Sequence, residues 1–331
     1  MQKQDATGAV PKADRQPAFP FADGVVKPGT VAHFEIPVAR LPAGTWTTMP
    51  AVVVHGRHPG PCIWLSASIH GDELNGIEII RKVATSLSPR KLSGTVIAVP
   101  IVNVFGVTNG SRYLPDRRDL NRSFPGTARG SMAGRLAQLF FNEVVSRCEL
   151  GLDFHTGSGG RDNLPQIRCD ADNAGTYRLA AAFGAPVIIH ANLRDGSLRA
   201  AAATQDKPVL LYEAGEALRF DEEAVDLGVA GTLRVMRSLG MTERAPATSG
   251  KPPQVSRRTR WVRAGRSGFC HLKVNLGQQV ERNAVVAQIA DATSRRTLSV
   301  RTRSTGIVIG CLRTGIVNRG DAVAHIAEIE E

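Results

Sequence analysis

The chain has 331 residues, 42% hydrophobic and 21% charged, which is an ordinary globular composition with room for one large core and a smaller domain. Its formal net charge is +11 at pH 7. The basic residues are mostly arginines dispersed along the sequence, and no basic motif with interleaved aromatic residues accompanies them. The charge therefore favours an anionic small molecule as partner, and we expect no binding to nucleic acid.

The cysteines and the N-terminal segment indicate the cellular compartment in which we expect the protein. Residues 1–20 lack the apolar run of a secretory signal, and no window holds the roughly 18 uninterrupted apolar residues of a membrane span. We therefore expect a cytoplasmic protein with a frayed N-terminus, reduced thiols and no membrane partner. The cysteines are spread singly, which argues against a disulfide framework or a thiolate zinc site: Cys62, Cys148, Cys169, Cys270 and Cys311.

Apolar runs alternate with amphipathic segments between residues 50 and 239. The runs predict buried strands at 51–54, 62–69, 96–102, 151–154, 187–189 and 209–212. Apolar residues at intervals of three and four predict helices at 76–87, 133–148, 174–183 and 222–239. This alternation predicts a three-layer α/β/α domain around a mixed, largely parallel sheet, in which ligands collect beyond the carboxyl ends of the strands.

A change of composition marks a second domain. Residues 242–258, rich in Pro, Ser, Thr, Gly and basic residues, predict a linker between a domain at 50–241 and a smaller one at 259–331, while 1–49 form a tail with a leading β segment. Residues 280–290 are echoed by 317–327, which predicts a small all-β barrel or sandwich built from two similar units. The repeat resembles the halves of biotinyl and lipoyl domains, but the stretch 291–299 has no lysine, so we expect no swinging-arm carrier.

The strongest chemical signal is a pair of strand ends that carry metal-ligand residues. His70 and Glu73 follow the run at 62–69, and His155 ends the run at 151–154. Two histidines and one carboxylate are the ligand set of a catalytic zinc ion, whose fourth position is left to water or substrate. Asp153 shares a strand face with His155 and is placed to orient its imidazole. His55, at the end of another strand, is an alternative third ligand.

Two further stretches supply candidate catalytic and binding groups. Glu213 ends the apolar run at 209–212 and is the candidate general base, whereas Glu216 has the character of a carboxylate at the exit to solvent. Tyr212 should point to the opposite face from Glu213. The arginine-rich segment 111–126 suits a loop that binds an anion, because arginine is the residue for bidentate carboxylate recognition.

Taken together, these motifs make residues 50–240 resemble the succinylglutamate desuccinylase and aspartoacylase family of zinc hydrolases, which is similar in its catalytic core to the metallocarboxypeptidases. The resemblance rests on His-Gly-Asp-Glu at 70–73, on His155 followed by Thr and Gly, and on Asp-Leu-Asn-Arg at 119–122. It implies that His70, Glu73 and His155 bind one zinc ion and that Asn121 and Arg122 hold a substrate carboxylate. Arg112, followed by Tyr113, would polarise the scissile carbonyl, with Arg117 or Arg118 as alternatives, and Glu213 would be the base.

We therefore expect a zinc-dependent amidohydrolase that removes a small acyl group from an N-acyl amino acid or a related carboxylate-bearing substrate. The competing interpretations are a metallocarboxypeptidase that acts on a short peptide C-terminus and a non-catalytic metal-binding protein. The resemblance also implies that the C-terminal β-domain partly covers the mouth of the active site. A homo-oligomer is compatible with the sequence, and the acyl group, the amino acid and the preference between amide and ester stay open.

Overall fold

The computed structural model describes residues 16–248, 250–293 and 296–329. The frayed terminus that we expected falls largely on residues 1–15, outside the described residues. The helices are α1 (Asn75–Ser86), α2 (Val104–Thr108), α3 (Met132–Glu143), α4 (Ala174–Phe183), α5 (Leu198–Ala203) and α6 (Glu222–Ser238). The strands are β1 (Phe19–Phe21), β2 (Gly24–Val26), β3 (Thr30–Arg40), β4 (Trp46–His55), β5 (His58–Ala67), β6 (Ser93–Val99), β7 (Leu150–Gly157), β8 (Arg161–Cys169), β9 (Val187–His190), β10 (Val209–Glu216), β11 (Gln254–Ser256), β12 (Arg258–Arg263), β13 (Gly268–Leu272), β14 (Gln279–Val280), β15 (Val285–Ala290), β16 (Thr297–Arg301), β17 (Gly306–Leu312), β18 (Ile316–Val317) and β19 (Ala322–Glu328).

A large mixed sheet organises the fold and confirms the α/β prediction. Its centre is parallel, with β5 between β6 and β7 and β10 beside β7, whereas β4 and β8 join its two sides antiparallel. The six predicted strands and four predicted helices are present, with shifted ends. The predicted helix at 133–148 ends at Glu143 and is followed by a short 3-10 turn at Val145–Arg147. We missed β8, whose side chains do not form an apolar run.

The apolar core around the central strands of the large sheet lies in two clusters, because successive strand residues point to opposite faces. Ile63 and Leu65 of β5 belong to one cluster, which α1, α4 and α6 cover. Trp64, between them, belongs to the other cluster, which α3 and α5 cover. Within the described residues, no helix combines the length and hydropathy needed to cross a bilayer.

The cysteines are free, in agreement with the expectation of reduced thiols. Two of them are nevertheless neighbours in the structure, although they lie far apart in the sequence. Cys62 in the middle of β5 and Cys148 just before β7 bring their Sγ atoms to 3.4 Å, because β5 and β7 run side by side.

The C-terminal strands are joined to the main sheet by backbone hydrogen bonds. β17 pairs antiparallel with β8, and β19 and β12 extend the sheet beyond β17. A separate antiparallel sheet contains β13, β15, β16 and β18. β11 falls within the predicted linker and pairs parallel with β9, so the chain between the two parts is itself attached to the sheet.

His325 on β19 is a buried histidine that this arrangement keeps neutral. Its ring is 3% exposed and stacks on the Trp261 indole with ring centroids 3.9 Å apart. Burial, assisted by the nearby Arg168 cation, lowers the pKa of His325 to about 3. His325 is therefore neutral in the native state across the physiological pH range.

We predict an acid-side loss of stability from His325. The pKa of His325 is lowered on folding, so its contribution is complete above the ordinary value of 6.5 and is lost as the pH falls from there toward about 3. The free energy of unfolding should decline by up to about 1.4 kcal/mol per pH unit in that window on account of this group. Urea unfolding of His325→Gln and the parent protein at several pH values measures the difference, and equal pH slopes would contradict the prediction.

Candidate metal centre and active site

The turn between β5 and α1 directs His70 and Glu73 to one point. A Cβ on Gly71 would lie 1.9 Å from the carbonyl carbon of Gly106 in α2, so only glycine permits this close packing of two backbones. The Ser68 hydroxyl donates a hydrogen bond to the Glu73 carbonyl oxygen at 3.0 Å, which closes the turn.

Three of the predicted ligands form one buried group. His70 Nδ1 lies 2.8 Å from Glu73 Oε1, and His155 Nδ1 lies 2.7 Å from Glu73 Oε2. One ligand atom from each residue falls within 4.8 Å of the others, and each residue is at most 4% exposed. His55, the alternative ligand, lies outside this group and places its Nδ1 2.9 Å from Thr95 Oγ1.

The outward nitrogens of the two histidines are both held by carboxylates. His70 Nε2 lies 3.1 Å from Asp119 Oδ1, and His155 Nε2 lies 2.8 Å from Asp153 Oδ2. Ser66 in turn donates to Asp153 Oδ1 at 2.7 Å. A carboxylate that accepts the Nε2 hydrogen leaves the lone pair on Nδ1, which points into the group. These residues therefore fit a divalent metal that is bound by two Nδ1 atoms and one carboxylate, the donor set of a catalytic zinc site.

The electrostatics of the group are those of a cation site. Burial opposes ionisation of Glu73, yet the two histidines hold its pKa well below the usual range. Burial also opposes protonation of His155, but Asp153 and Glu73 raise its pKa well above the ordinary value. Glu73 and Asp119 raise the pKa of His70 against the same effect of burial. Carboxylates that attract protons to two imidazoles would equally attract a metal, which binds when those protons leave.

Arg112 is the arginine that reaches this group. Its guanidinium donates to Asp119 Oδ2 at 2.9 Å and to Ser158 Oγ at 3.0 Å, and one nitrogen lies 3.5 Å from Glu73 Oε1. The alternatives lie in the exposed turn that precedes Asp119, where the Arg118 side chain is 65% exposed. Arg117 is exposed in the same turn.

Asn121 and Arg122 lie in a 3-10 turn that Asp119 caps by accepting a hydrogen bond from the Asn121 backbone at 2.8 Å. The Asn121 side-chain oxygen accepts from the Leu198 backbone at 2.9 Å, which ties this turn to α5. Burial and the neighbouring Arg194 and Arg112 cations lower the pKa of Arg122, although Asp119 opposes them. A guanidinium crowded by other cations is a favourable place for a carboxylate ligand.

Glu213 shares a face of the sheet with the metal group, because it is the cross-strand partner of His155 in the parallel pair β10 and β7. Asn163 Nδ2 donates to Glu213 Oε2 at 2.9 Å, and Arg168 Nε lies 3.3 Å from Oε1. Tyr212 points to the opposite face, as predicted, and its hydroxyl donates to the Ala224 carbonyl oxygen at 2.8 Å. Glu216 faces a different environment, with Arg219 at 3.4 Å.

Sequence reasoning missed several members of this site. Asp119 lies in the recognised Asp-Leu-Asn-Arg stretch and its position before a turn was a usable signal for a cap, yet its contact with His70 depends on the path of the whole loop. Asn163 and Arg168 lie on the missed strand β8, and Ser158 follows β7. Nothing in their local sequence indicates the residues that they contact.

Comparisons with known proteins agree with this geometry. The family model of the succinylglutamate desuccinylase/aspartoacylase catalytic domain matches residues 59–239, more than half of the chain. The N-alpha-acetyl-L-2,4-diaminobutyric acid deacetylase of Halomonas elongata is 29% identical over 323 residues, covering 94% of this chain and 93% of that protein.

Solved structures extend the likeness to the C-terminal strands. A succinylglutamate desuccinylase/aspartoacylase from Rhodobacter sphaeroides is 27% identical, with a TM-score of 0.82 over 91% of this chain and 96% of its own. The product-bound ectoine utilization protein EutE (DoeB) from Ruegeria pomeroyi has a TM-score of 0.82 at 24% identity, over 90% and 95% of the two chains, and shows the fold alone.

The chain therefore belongs to the succinylglutamate desuccinylase/aspartoacylase family. It is a hydrolase of carbon–nitrogen amide bonds. A small molecule is the substrate class that this family membership supports.

We predict that Asp153→Asn weakens metal binding about tenfold to a hundredfold, because the amide no longer holds His155 with Nδ1 unprotonated. Competition with a chromogenic chelator measures the affinity. Asp162→Asn, a change of the same kind on β8 with an Arg313 partner, is the control and should leave the affinity unchanged. Equal affinity in the Asp153→Asn and parent proteins would count against the metal centre as described.

Proposed function

We propose that the chain is a zinc-dependent deacylase that removes a small acyl group from an N-acyl amino acid. The observation that carries the proposal is the buried group of His70 Nδ1, Glu73 and His155 Nδ1, with Arg112 beside it and Glu213 on the same face of the sheet. The curated relative acts, by its name, on an Nα-acetylated diamino acid, so N-acetyl amino acids are the first substrates to test.

The proposed mechanism assigns one task to each group. His70, Glu73 and His155 would hold one zinc ion, which supplies a Lewis acid that polarises the amide carbonyl and acidifies water. Glu213 accepts the proton of the attacking water and delivers it to the leaving nitrogen. Asn163 fixes the carboxylate for this transfer by its hydrogen bond to Oε2.

Arg112 and Arg122 bind the negatively charged groups of the substrate and of the transition state. Arg112 donates to the carbonyl oxygen as charge develops there, and its place is fixed by Asp119 and Ser158. Arg122, with Asn121 beside it, binds the carboxylate of the amino acid. Because the carboxylate and the scissile carbonyl are held by different arginines, the amide bond is positioned between them.

Glu213→Gln should lower kcat about a hundredfold or more, because a carboxamide cannot accept the proton, while the bound zinc stays unchanged. Steady-state hydrolysis and metal analysis of the same sample measure the two quantities. Glu216→Gln, three residues further along β10, is the matched control and should keep near-parental turnover. A fully active Glu213→Gln protein would remove Glu213 from the mechanism.

Arg112→Ala should lower turnover about a hundredfold or more through loss of a donor to the oxyanion. Arg118→Ala removes the same side chain from the exposed turn and should have little effect. If Arg112→Ala retained zinc and parental turnover, the carbonyl would have to be polarised by another group.

The proposal as a whole is tested by a hydrolysis screen of N-acyl amino acids and short peptides, with zinc quantified and Glu213→Gln as the blank. Release of a free amino acid from acyl amino acids supports it. Preferential cleavage of peptides at the C-terminus would favour the metallocarboxypeptidase alternative. Absence of hydrolysis by zinc-loaded protein on every substrate would overturn the deacylase proposal.

We also propose the finer description of the architecture: a three-layer α/β/α domain of the zinc carboxypeptidase type at 50–241, and a C-terminal β-barrel or sandwich at 259–331 after a linker at 242–258. The two apolar clusters on opposite faces of the sheet support the first part. A third apolar cluster, formed by residues of the C-terminal strands, supports the second.

A further inference from the structure

Residues of the neighbouring strand β8 hold the Glu213 carboxylate. Asn163 and Arg168 both lie on β8 and contact its two oxygens at 2.9 and 3.3 Å. A proton acceptor must keep its position to within a fraction of an ångström. Residues that fix the position of the N-terminal half of β8, where Asn163 lies, therefore also affect the position of the Glu213 carboxylate.

One row of residues crosses the sheet from this contact into the C-terminal strands. Asn163 on β8 is the cross-strand partner of Gly310 on β17, Gly310 is the partner of His325 on β19, and His325 is the partner of Trp261 on β12. Cross-strand partners lie side by side on one face, so Gly310 lies between the side chains of Asn163 and His325.

Gly310 is the close contact in the row. A Cβ on Gly310 would lie 3.0 Å from Asn163 Oδ1 and 3.3 Å from His325 Cβ, tighter than ordinary van der Waals contact. The amide of Asn163 and the side chain of His325 thus occupy the two sides of the space that a larger residue would need. Gly310 does not have a positive φ, so the backbone itself accepts alanine.

His325 cannot easily move aside. It is 3% exposed and lies flat on Trp261, with 10° between the ring planes. The Arg161 guanidinium lies over the same indole at 5.6 Å, and Arg161 is on β8, two residues before Asn163. Through Arg161, the Trp261 indole is therefore in contact with β8, the strand whose residues hold the Glu213 carboxylate.

We propose that Gly310 and His325 are positioning residues for the base: together they set the Asn163 amide, and through it the Glu213 carboxylate, so that strands β17 and β19 complete the active site from outside the catalytic region. This inference rests on the proposed function, in which Glu213 is the base. It assigns to the C-terminal strands a task in catalysis that is separate from covering the site.

The kinetic test is a double-mutant cycle. Gly310→Ala should lower kcat about tenfold with KM and zinc content near the parental values, because the displaced Asn163 amide no longer fixes the base. In an Asn163→Ala background the same change should alter kcat by less than about twofold, since the contact through which it acts is gone. Gly315→Ala, at a glycine of the same region with no atom within 4 Å of the added Cβ, is the matched control and should match the parent.

A second measurement does not depend on turnover. In protein labelled with ¹⁵N-asparagine, the Asn163 side-chain signal is identified by its loss in Asn163→Ala. It should move in Glu213→Gln, in Gly310→Ala and in His325→Gln, and stay in place in Gly315→Ala. If thermal unfolding shows Gly310→Ala to be unfolded, the His325→Gln spectrum carries the test alone.

The outcomes separate this inference from the proposed function. An active parent enzyme combined with an unchanged kcat in Gly310→Ala, or with equal effects of that change in the presence and absence of Asn163, overturns the positioning role and leaves the deacylase proposal standing. An Asn163 signal that does not respond to Gly310→Ala or His325→Gln overturns it as well. Movement of that signal in a protein that hydrolyses no substrate would support the contact and refute the function.

Discussion

The double contact of the Glu73 carboxylate is the constraint on which the rest of the site depends. Each of its oxygens faces one imidazole nitrogen in a nearly solvent-free position. A buried carboxylate costs several kcal/mol unless cations and hydrogen bonds compensate it. The two histidines, the Arg112 guanidinium and the Ser158 hydroxyl supply this compensation, and Asp119 and Asp153 in turn orient the histidines. The polar network is therefore continuous, and each member has a reason to be present.

The site divides between rigid and adjustable parts. His155 and Glu213 lie on adjacent parallel strands, so backbone hydrogen bonds set their separation. The arginines come instead from the loop and turn between α2 and α3, which the Asp119 carboxylate fixes by contacting both His70 and Arg112. The group of His70, Glu73 and His155 and the loop that carries Arg112 are thus coupled through the Asp119 side chain.

The sequence predicted those parts of the fold and site that local patterns encode. Apolar runs located the central strands, and strand ends located His70, Glu73, His155 and Glu213, because residues at the carboxyl ends of parallel strands meet at one edge. β8 was missed because polar residues interrupt its apolar ones, among them Asn163 and Arg168, which contact Glu213, so no apolar run marks it. Asn163 contacts a residue 50 positions away and Gly310 lies still further along, and such pairings depend on sheet topology that no local pattern states.

The pairing of β17 with β8 also has a consequence during synthesis of the chain. β8 leaves the ribosome well before β17, and until β17 docks, the N-terminal half of β8 presents an open edge of unpaired amides and carbonyls. Open edges of this kind invite pairing with other chains, so the N-terminal half of β8 is exposed to aggregation during the interval between synthesis of the two strands. Docking of the last strands closes that edge, and it does so at the strand that carries the partners of Glu213.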